Sequence, residues 1–326
     1  MRLADLNMDT PRDHRANVCV FAPSLFVTVT IEGSHGRVGD EIHFHPGGQG
    51  FWIARMLRHL GERPVLCGPV GGESGKVLRG LMAQWGVEFA PVPMTQDTPA
   101  YVHDRREGER LEVAASALPA LNRHELDDLY GRTLERALAS GLVVLAGRHP
   151  GHDVDLDIYE RLGSDLGSAG VGVVADLHGL ELDALIATAS ISVLKVSDDD
   201  LIEAGRLRDD TEAAALTAVA DLRREGAESV VLSRAERPAL AGFPEGLFRV
   251  HPPHMDTADP RGAGDSMTAG LVAGRLRDLS ATDTLRLACA AGTANVARHG
   301  LGSATALLVD QLVKMVRLER LEPEPA

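Results

Sequence analysis

The stretch Asp259–Gly270, "DPRGAGDSMTAG", decides how this chain is read. Three small residues, Gly262, Ala263 and Gly264, run into an aspartate, Asp265, and an alanine- and leucine-rich run follows. The preceding "HPPHMDTADP" holds three prolines. It cannot be helix interior, because proline has no N–H to donate and clashes with the turn before it. From Ala263 to Arg277 the sequence reads as a helix, weakened at Gly270 and Gly274. The Gly-Ala-Gly therefore lies at a helix N-terminus, where free N–H groups and the positive dipole end favour an anion. Asp265 is then either an ordinary first-turn acid or a general base beside a bound phosphoryl group. Spacing alone leaves both readings open.

Outward from this turn, apolar runs alternate with helical ones. "NVCVFA" (from Asn17), "GLVVLAG" (from Gly141), "GVGVVAD" (from Gly170), "ISVLKV" (from Ile191) and "ESVVLS" (from Glu228) are near-continuous apolar strands. Such runs suit a parallel sheet covered on both faces. Helix candidates lie between them, as "HELDDLYGRTLERALAS" (from His124), "VDLDIYERLGSDLGS" (from Val154) and "TEAAALTAVADLRREG" (from Thr211). The alternation predicts a layered α/β fold with a mainly parallel sheet. Two segments break it, "LFVTVTIEGSHGRVGDEIHFH" (from Leu25) and "AYVHDRREGERLEVA" (from Ala100). Each reads as a hairpin around a glycine-containing turn. The two either pair into a small lid or form edge strands of the main sheet.

Composition narrows the function. The 326 residues are 44% apolar and 25% charged, enough for a large core in one or two domains. The net charge of −14 argues against a nucleic-acid or anionic-membrane binder, so the charge of an anionic ligand would have to be met locally. The longest apolar run, Val18–Ile31, is broken by Pro23 and Ser24 and is too short to span a bilayer. No signal peptide is expected from the mixed-charge start. Cys19, Cys67 and Cys289 are odd in number and far apart, so neither a disulfide framework nor a metal site is expected. The pattern points to a reducing cytoplasm. Residues 1–16 and 318–326 read as polar tails around one domain, 17–317, with lid strands from about 25–45 and 99–114.

Two further glycine clusters matter. In "HPGGQGFWIARMLRHLG", Gly47, Gly48 and Gly50 precede a helix whose Ile53, Met56, Leu57 and Leu60 share a face. "GPVGGESGKV", Gly68–Val77, is not a P-loop, because Val70 and Val77 stand where glycine and Ser/Thr are needed.

Taken together, the Gly-Gly loop with its helix, "GPVGGESG", the strand end "LKVSDDDL", "GAGDSMTAG" and the late helix "LACAAGTANVARHG" resemble the ribokinase-type (PfkB) carbohydrate kinase family from about Asn17 to Arg317. Within it the chain is most similar to the bacterial phosphofructokinase and tagatose-6-phosphate kinase branch. "GGQGFWIARMLRHLG" is similar to that branch's "GGKGINVARVLxxLG", "AGRHPG" to "GSLPPG" and "VVADLHG" to "VVLDTSG". The resemblance implies a Rossmann-like three-layer sandwich with a β lid, transferring phosphoryl from ATP with Mg²⁺ to a sugar or sugar phosphate, a hexose phosphate such as a fructose phosphate being favoured. It implies that Asp265 is the base and that Gly262, Ala263 and Gly264 form the anion hole. It places Gly47, Gly48, Gln49, Trp52, Arg148 and Arg261 at the acceptor. It places Lys195, Ser197, Ser233, Gly264 and Asn295 at the nucleotide, and Asp200 on Mg²⁺ through water. Asp198 and Asp199 read as solvated acids of a helix start. A homodimer formed through the lids is implied by analogy. Whether a monovalent cation is needed near "ARHGLGSA" is left open.

The departures from the branch are concentrated at the sugar. Ala22 and Phe26 stand for its asparagine and aspartate, Gln49 for its lysine, Trp52 for its sugar-binding asparagine and Gly147 for its phosphate-contacting serine. The segment from Asp97 lacks the branch's T-R-x-N pattern. On the nucleotide side Ser197 replaces an asparagine, Ala235 and Pro238 replace glycines, and Pro260 and Arg261 replace threonines. Aromatic surface at Phe26 and Trp52 could stack on a ring, or Trp52 could simply pack at a helix start. Arg148 and Arg261 could clamp a phosphate or form salt bridges. A degenerate kinase that binds a sugar phosphate or nucleotide as a regulator, and a nucleoside kinase, remain alternatives. The intact Gly-Ala-Gly-Asp favours an enzyme.

Overall fold

A computed structural model describes residues 16–33, 39–256, 259–297 and 301–321. Residues 1–15 and 322–326, within the sequence-derived tails, lie outside these. The described strands are β1 (Val18–Phe21), β2 (Phe26–Glu32), β3 (Glu41–Gly47), β4 (Pro64–Val70), β5 (Glu88–Pro93), β6 (Ala100–Asp104), β7 (Leu111–Ala115), β8 (Leu142–Ala146), β9 (Gly172–Asp176), β10 (Ile191–Ser197), β11 (Ala227–Arg234), β12 (Arg237–Phe243), β13 (Gly246–His251) and β14 (Arg317–Leu321). The helices are α1 (Gln49–His59), α2 (Gly72–Gln84), α3 (Arg123–Ser140), α4 (Asp157–Ser168), α5 (Gly179–Ile186), α6 (Asp198–Glu203), α7 (Glu212–Glu225), α8 (Ala263–Leu276), α9 (Ala281–Val296) and α10 (Ala306–Val313).

Ten strands form one sheet in the order β14-β13-β12-β11-β10-β9-β8-β1-β4-β5. Pairing is parallel from β5 to β11 and antiparallel from β11 to β14. The apolar runs are continuous because both faces are covered. On β1, Val18 and Val20 enter the core under α1, α2, α8 and α9, while Cys19 and Phe21 enter the core under α3, α4, α5 and α7. Cys19 and Cys67, 48 residues apart, meet on neighbouring strands with 3.7 Å between their Sγ atoms. They remain free thiols, as does Cys289. Among the described residues no helix is long and apolar enough to cross a membrane.

The two hairpins form a separate four-stranded sheet, β3-β2-β6-β7, joined by parallel pairing of β2 with β6. The edge-strand alternative is thereby excluded. Along β3, His43 and His45 alternate with Ile42 and Phe44, so one side of this lid is polar and the other apolar.

Helices α8 and α9 touch backbone to backbone. A Cβ on Gly270 would lie 2.5 Å from the Ala288 Cα, and one on Gly274 would meet the Thr284 side chain. The glycines that weaken α8 in isolation thus permit its close packing on α9.

Two sequence readings are corrected. Residues 318–321, read as tail, complete β14, whose "RLERL" pairs with β13 from Arg317 to Leu321. Its polar side chains carry no apolar pattern, yet Arg249 joins Glu212 and Glu319 across this edge. Asp198, read as solvated, is buried and ion-paired with Arg237 at 2.6 Å. Arg237 opens β12, immediately after the turn that leaves β11.

In that turn Ala235 has φ +49°, a left-handed conformation that costs a residue with a Cβ. Ala235→Gly should therefore stabilise the protein by about 0.5 kcal/mol, a melting-temperature gain of roughly 1–2 °C. A lower melting temperature would show that the turn does not carry this strain.

Candidate active site

Helix α8 begins in an unusual way. Its N-cap is Gly262, held left-handed at φ +72°, and no side chain caps the helix. The first N–H groups therefore face the site without a competing side-chain oxygen, and Ser266 N makes the first i→i−4 bond, to Gly262 O at 3.0 Å. Asp265 lies in this first turn.

The partners of Asp265 come from two parallel strands. Asp176 ends β9 and Lys195 is its register neighbour on β10. Their side chains meet at 3.3 Å, both buried. The Thr268 hydroxyl, one turn past Asp265, donates to the other Asp176 oxygen at 2.5 Å and ties α8 to the strand ends. A Cβ on Gly264 would sit 2.7 Å from Lys195 Nζ, so the ammonium group lies over the helix start and only glycine leaves it room. An uncapped N-terminus and a buried cation thus converge on one point, which suits a phosphoryl group.

Charge coupling tunes both groups. Burial, and then the like charge of Asp176, push the Asp265 pKa up to about 7, against the pull of Lys195. Burial alone would drive the Lys195 ammonium down. The carboxylates of Asp176, Asp265 and Asp200 outweigh it and hold Lys195 above its ordinary value.

The other predicted residues divide. Gln49 joins the centre indirectly, since its Oε1 accepts from Gly147 N at 2.7 Å and its Nε2 donates to Asp176 O at 3.3 Å. Gly47 and Gly48 lie where a Cβ would strike Phe26 or Ser24 O, so both permit close packing of the loop before α1. Trp52 packs edge-on to Phe26 with centroids 6.0 Å apart and also lines a cavity under the lid. Phe26 further contacts Tyr101 at 4.9 Å and His149 at 5.5 Å, forming an aromatic cluster. Arg148 is engaged by the buried Glu181 at 2.7 Å, and Arg261 holds Asp259 through two parallel bonds of 2.9 and 2.6 Å. Both arginines therefore satisfy the salt-bridge alternative.

Of the residues expected at the nucleotide and metal, Ser197 and Asp200 form a capping box at the start of α6. Ser197 Oγ donates to Asp200 Oδ2 at 2.5 Å and accepts from Asp200 N at 3.1 Å. Asp200 Oδ1 faces His178 Nδ1 at 3.7 Å. Ser233 Oγ donates to Val196 O at 3.2 Å. Asn295, also expected at the nucleotide, is buried and both ends of its amide are taken by backbone. It donates to Arg261 O at 2.7 Å and accepts from Gly302 N at 2.8 Å, bracing the turn before α8. In the "ARHGLGSA" loop, residues 298–300 lie outside the described residues.

Asp176 went unassigned from sequence, because its pairing with Lys195 is set by strand register and not by a local motif. Among the described residues no cluster of three or more His, Cys, Asp or Glu forms a metal cage. A single partly exposed carboxylate, Asp200, suits a Mg²⁺ that keeps most of its waters and is held mainly by phosphates.

A three-layer sandwich with a β lid and a tuned acid at an uncapped helix start places the protein among the ribokinase-like α/β enzymes. The chain belongs to the pfkB family of carbohydrate kinases, whose model matches residues 23–306. It is 29% identical over 263 residues to the ATP-dependent 6-phosphofructokinase isozyme 2 of Escherichia coli K12, covering 79% of this chain and 83% of that one. It is 27% identical over 282 residues to the 1-phosphofructokinase of Bacillus subtilis 168, covering 85% and 89%. The crystal structure of Escherichia coli phosphofructokinase-2 with potassium superposes with a TM-score of 0.80 at 25% identity, covering 92% of this chain and 98% of that one.

The raised Asp265 pKa has a stability consequence. Near pH 4 and below, folded and unfolded chains both hold the proton. From about pH 4 to about 7 only the folded chain keeps it, so stability falls as pH rises, and the full cost stands above about pH 7. Asp265→Asn should raise the melting temperature at pH 8 and leave it near wild type at pH 4. An equal shift at both pH values would refute the assignment.

Proposed function

We propose that this kinase transfers the γ-phosphoryl group of ATP to a hydroxyl of a hexose phosphate, with Asp265 as general base. The observation that carries the proposal is the tuned Asp265 at the uncapped start of α8, under the Lys195 ammonium. The names of the relatives, 6-phosphofructokinase, 1-phosphofructokinase and tagatose-6-phosphate kinase, support a hexose phosphate as acceptor.

Asp265 in its charged form accepts the proton of the attacking hydroxyl as the new O–P bond forms. The bond from γ-phosphorus to the β–γ bridging oxygen breaks, and ADP leaves with that electron pair. The N–H groups of Gly262–Gly264 and the Lys195 ammonium stabilise charge on the transferring group from fixed positions. A pKa near operating pH suits a base, since a more acidic carboxylate would accept the proton less readily. Lys195, Ser197, Ser233 and Gly264 lie toward the nucleotide. Asp200 would hold Mg²⁺ through water, and the ion when bound neutralises phosphate charge. The potassium complex of the Escherichia coli structure motivates a test of K⁺ dependence here. Trp52, backed by the buried Phe26 ring, gives the acceptor side an aromatic face that packs against the C–H face of a sugar ring.

The lid supports a homodimer. Leu111, Asp104, Ile31 and Ile42 fall in one cross-strand row, and Ala114, Val102, Val29 and Phe44 in the next, on the side away from the cavity. Of these, Ile42, Phe44 and Leu111 are 59%, 51% and 66% exposed. A second copy of the lid would cover this apolar face.

Asp265→Asn should lower kcat by several orders of magnitude while ATP affinity stays near normal. Full turnover on the cognate acceptor would refute the base. A panel of sugars, hexose phosphates and nucleosides scored by ADP release identifies the acceptor. Phe44→Asp should convert a dimer to a monomer in light scattering, and a monomeric wild type would remove the dimer proposal.

A further inference from the structure

Two threonines inside helices spend their hydroxyl on their own helix. Thr293 in α9 donates to Cys289 O at 2.9 Å, and Thr217 in α7 donates to Ala213 O at 2.9 Å. Thr268 in α8 does not. It is fully buried, and its proton goes at 2.5 Å to Asp176 Oδ2, 92 residues away in the chain at the end of β9. Lys195 Nζ donates to the other oxygen, Oδ1, at 3.3 Å. Both Asp176 oxygens thus accept from a side chain, and donors at both oxygens favour the charged carboxylate. Asp265 lies one turn earlier on α8, in different surroundings. Among the described residues no group donates a hydrogen bond to its carboxyl. Burial and the Asp176 charge act on it against the pull of Lys195. Two acids beside one buried cation therefore differ in their donors. The acid with donors keeps its charge, and the acid without them exchanges a proton.

We infer that Thr268 is a positioning residue of the transfer step, whose hydroxyl holds the charge on Asp176 so that Asp265 is the acid that takes up and releases the proton. The inference rests on the reading of Asp265 as general base and names the group that singles it out. Among the described residues, the charged groups facing this point are Asp176 from β9, Lys195 from β10 and, acting on Lys195, Asp200 from α6. Thr268 is an uncharged donor among them, so its hydroxyl can be removed with every charge left in place. Asp176 then keeps one side-chain donor instead of two. The state with both carboxylates ionised becomes costlier, and the last proton leaves at higher pH. Asp265 would stay protonated over a pH range in which the wild-type group has already released its proton. The base is lost in that range and regained above it.

The test compares full-length wild type with Thr268→Val, Thr268→Ala, Thr268→Ser and Thr293→Val. Carboxyl-carbon NMR titration of aspartate-labelled protein without ligands comes first. The pH dependence of kcat/KM follows, with ATP, Mg²⁺ and fructose 6-phosphate, fructose 1-phosphate or tagatose 6-phosphate as acceptor. The Asp265 midpoint, near pH 7 in wild type, should rise by about 0.5 pH unit or more in Thr268→Val. That rise lowers kcat/KM at pH 6 by about threefold or more, while at pH 9 the value returns to within about twofold of wild type. The KM for ATP should not change. Thr268→Ala also lacks the hydroxyl, should shift in the same direction, and decides the matter if the valine variant does not fold. Thr268→Ser keeps the hydroxyl and should titrate as wild type. Thr293→Val should do the same, because the hydroxyl it removes is bonded to its own helix. An unchanged or lowered midpoint in the hydroxyl-free variants overturns the inference. So does a loss of kcat/KM that is equal at pH 6 and pH 9, the mark of a purely structural role. A Thr268→Ser protein that titrates like Thr268→Val overturns it too, because the methyl group and not the hydroxyl would then matter. If the midpoint rises as expected but Asp265→Asn retains full turnover, or wild type turns over none of the three hexose phosphates, the link from Thr268 to Asp265 stands and the function proposed above falls.

Discussion

The site depends on one arrangement of charge, the buried Lys195–Asp176 ion pair with the Asp265 carboxylate close enough to feel both. The sheet imposes it. Asp176 and Lys195 are register partners on adjacent parallel strands, so their side chains leave the same face at the same level. Helix α8 then brings Asp265 to them, fixed by the Thr268 bond to Asp176 and by the close α8–α9 contact at Gly270. Removing one member of a buried pair leaves an uncompensated charge and typically costs about 3–5 kcal/mol. Asp176, which helps hold the strand ends together, also raises the pKa of Asp265.

Around this centre the side chains divide into braces and walls. Gln49, Asn295 and Ser197 are consumed by backbone or capping bonds. Buried polar groups satisfied in this way fix the loops that bear the reacting groups. Phe26 and Tyr101 are buried and pack in one aromatic cluster with Trp52, which itself lines the cavity under the lid, in keeping with the loss of hydrogen-bonding residues already visible in the sequence. The lid has two faces with different tasks, histidines and arginines toward the cavity and Ile42 and Phe44 away from it.

Much of the fold was legible in the sequence. The five apolar runs became β1, β8, β9, β10 and β11, and the helix expected over residues 263–277 is α8 over Ala263–Leu276. Both hairpins were visible because their residues alternate. The antiparallel extension through β12, β13 and β14 was not, because β14 is a polar edge strand whose partners are remote in sequence. At the site, Gly262–Asp265 could be read because phosphate-binding turns are local. Asp176 could not, because it acquires meaning only when strand register sets it beside Lys195 and α8 closes over both. The arginine-lined cavity under the lid was hidden for the same reason, since its residues come from α1, the lid and the 259–261 turn.

The most direct test of this account is a carboxyl-carbon NMR titration of protein labelled at aspartate, comparing wild type with Asp265→Asn and Asp176→Asn. The account predicts one resonance titrating near pH 7 that is absent in Asp265→Asn and shifts to a lower pH in Asp176→Asn, where the like charge is gone. An Asp265 resonance that titrates near pH 4 in wild type, or does not respond to Asp176→Asn, would contradict it.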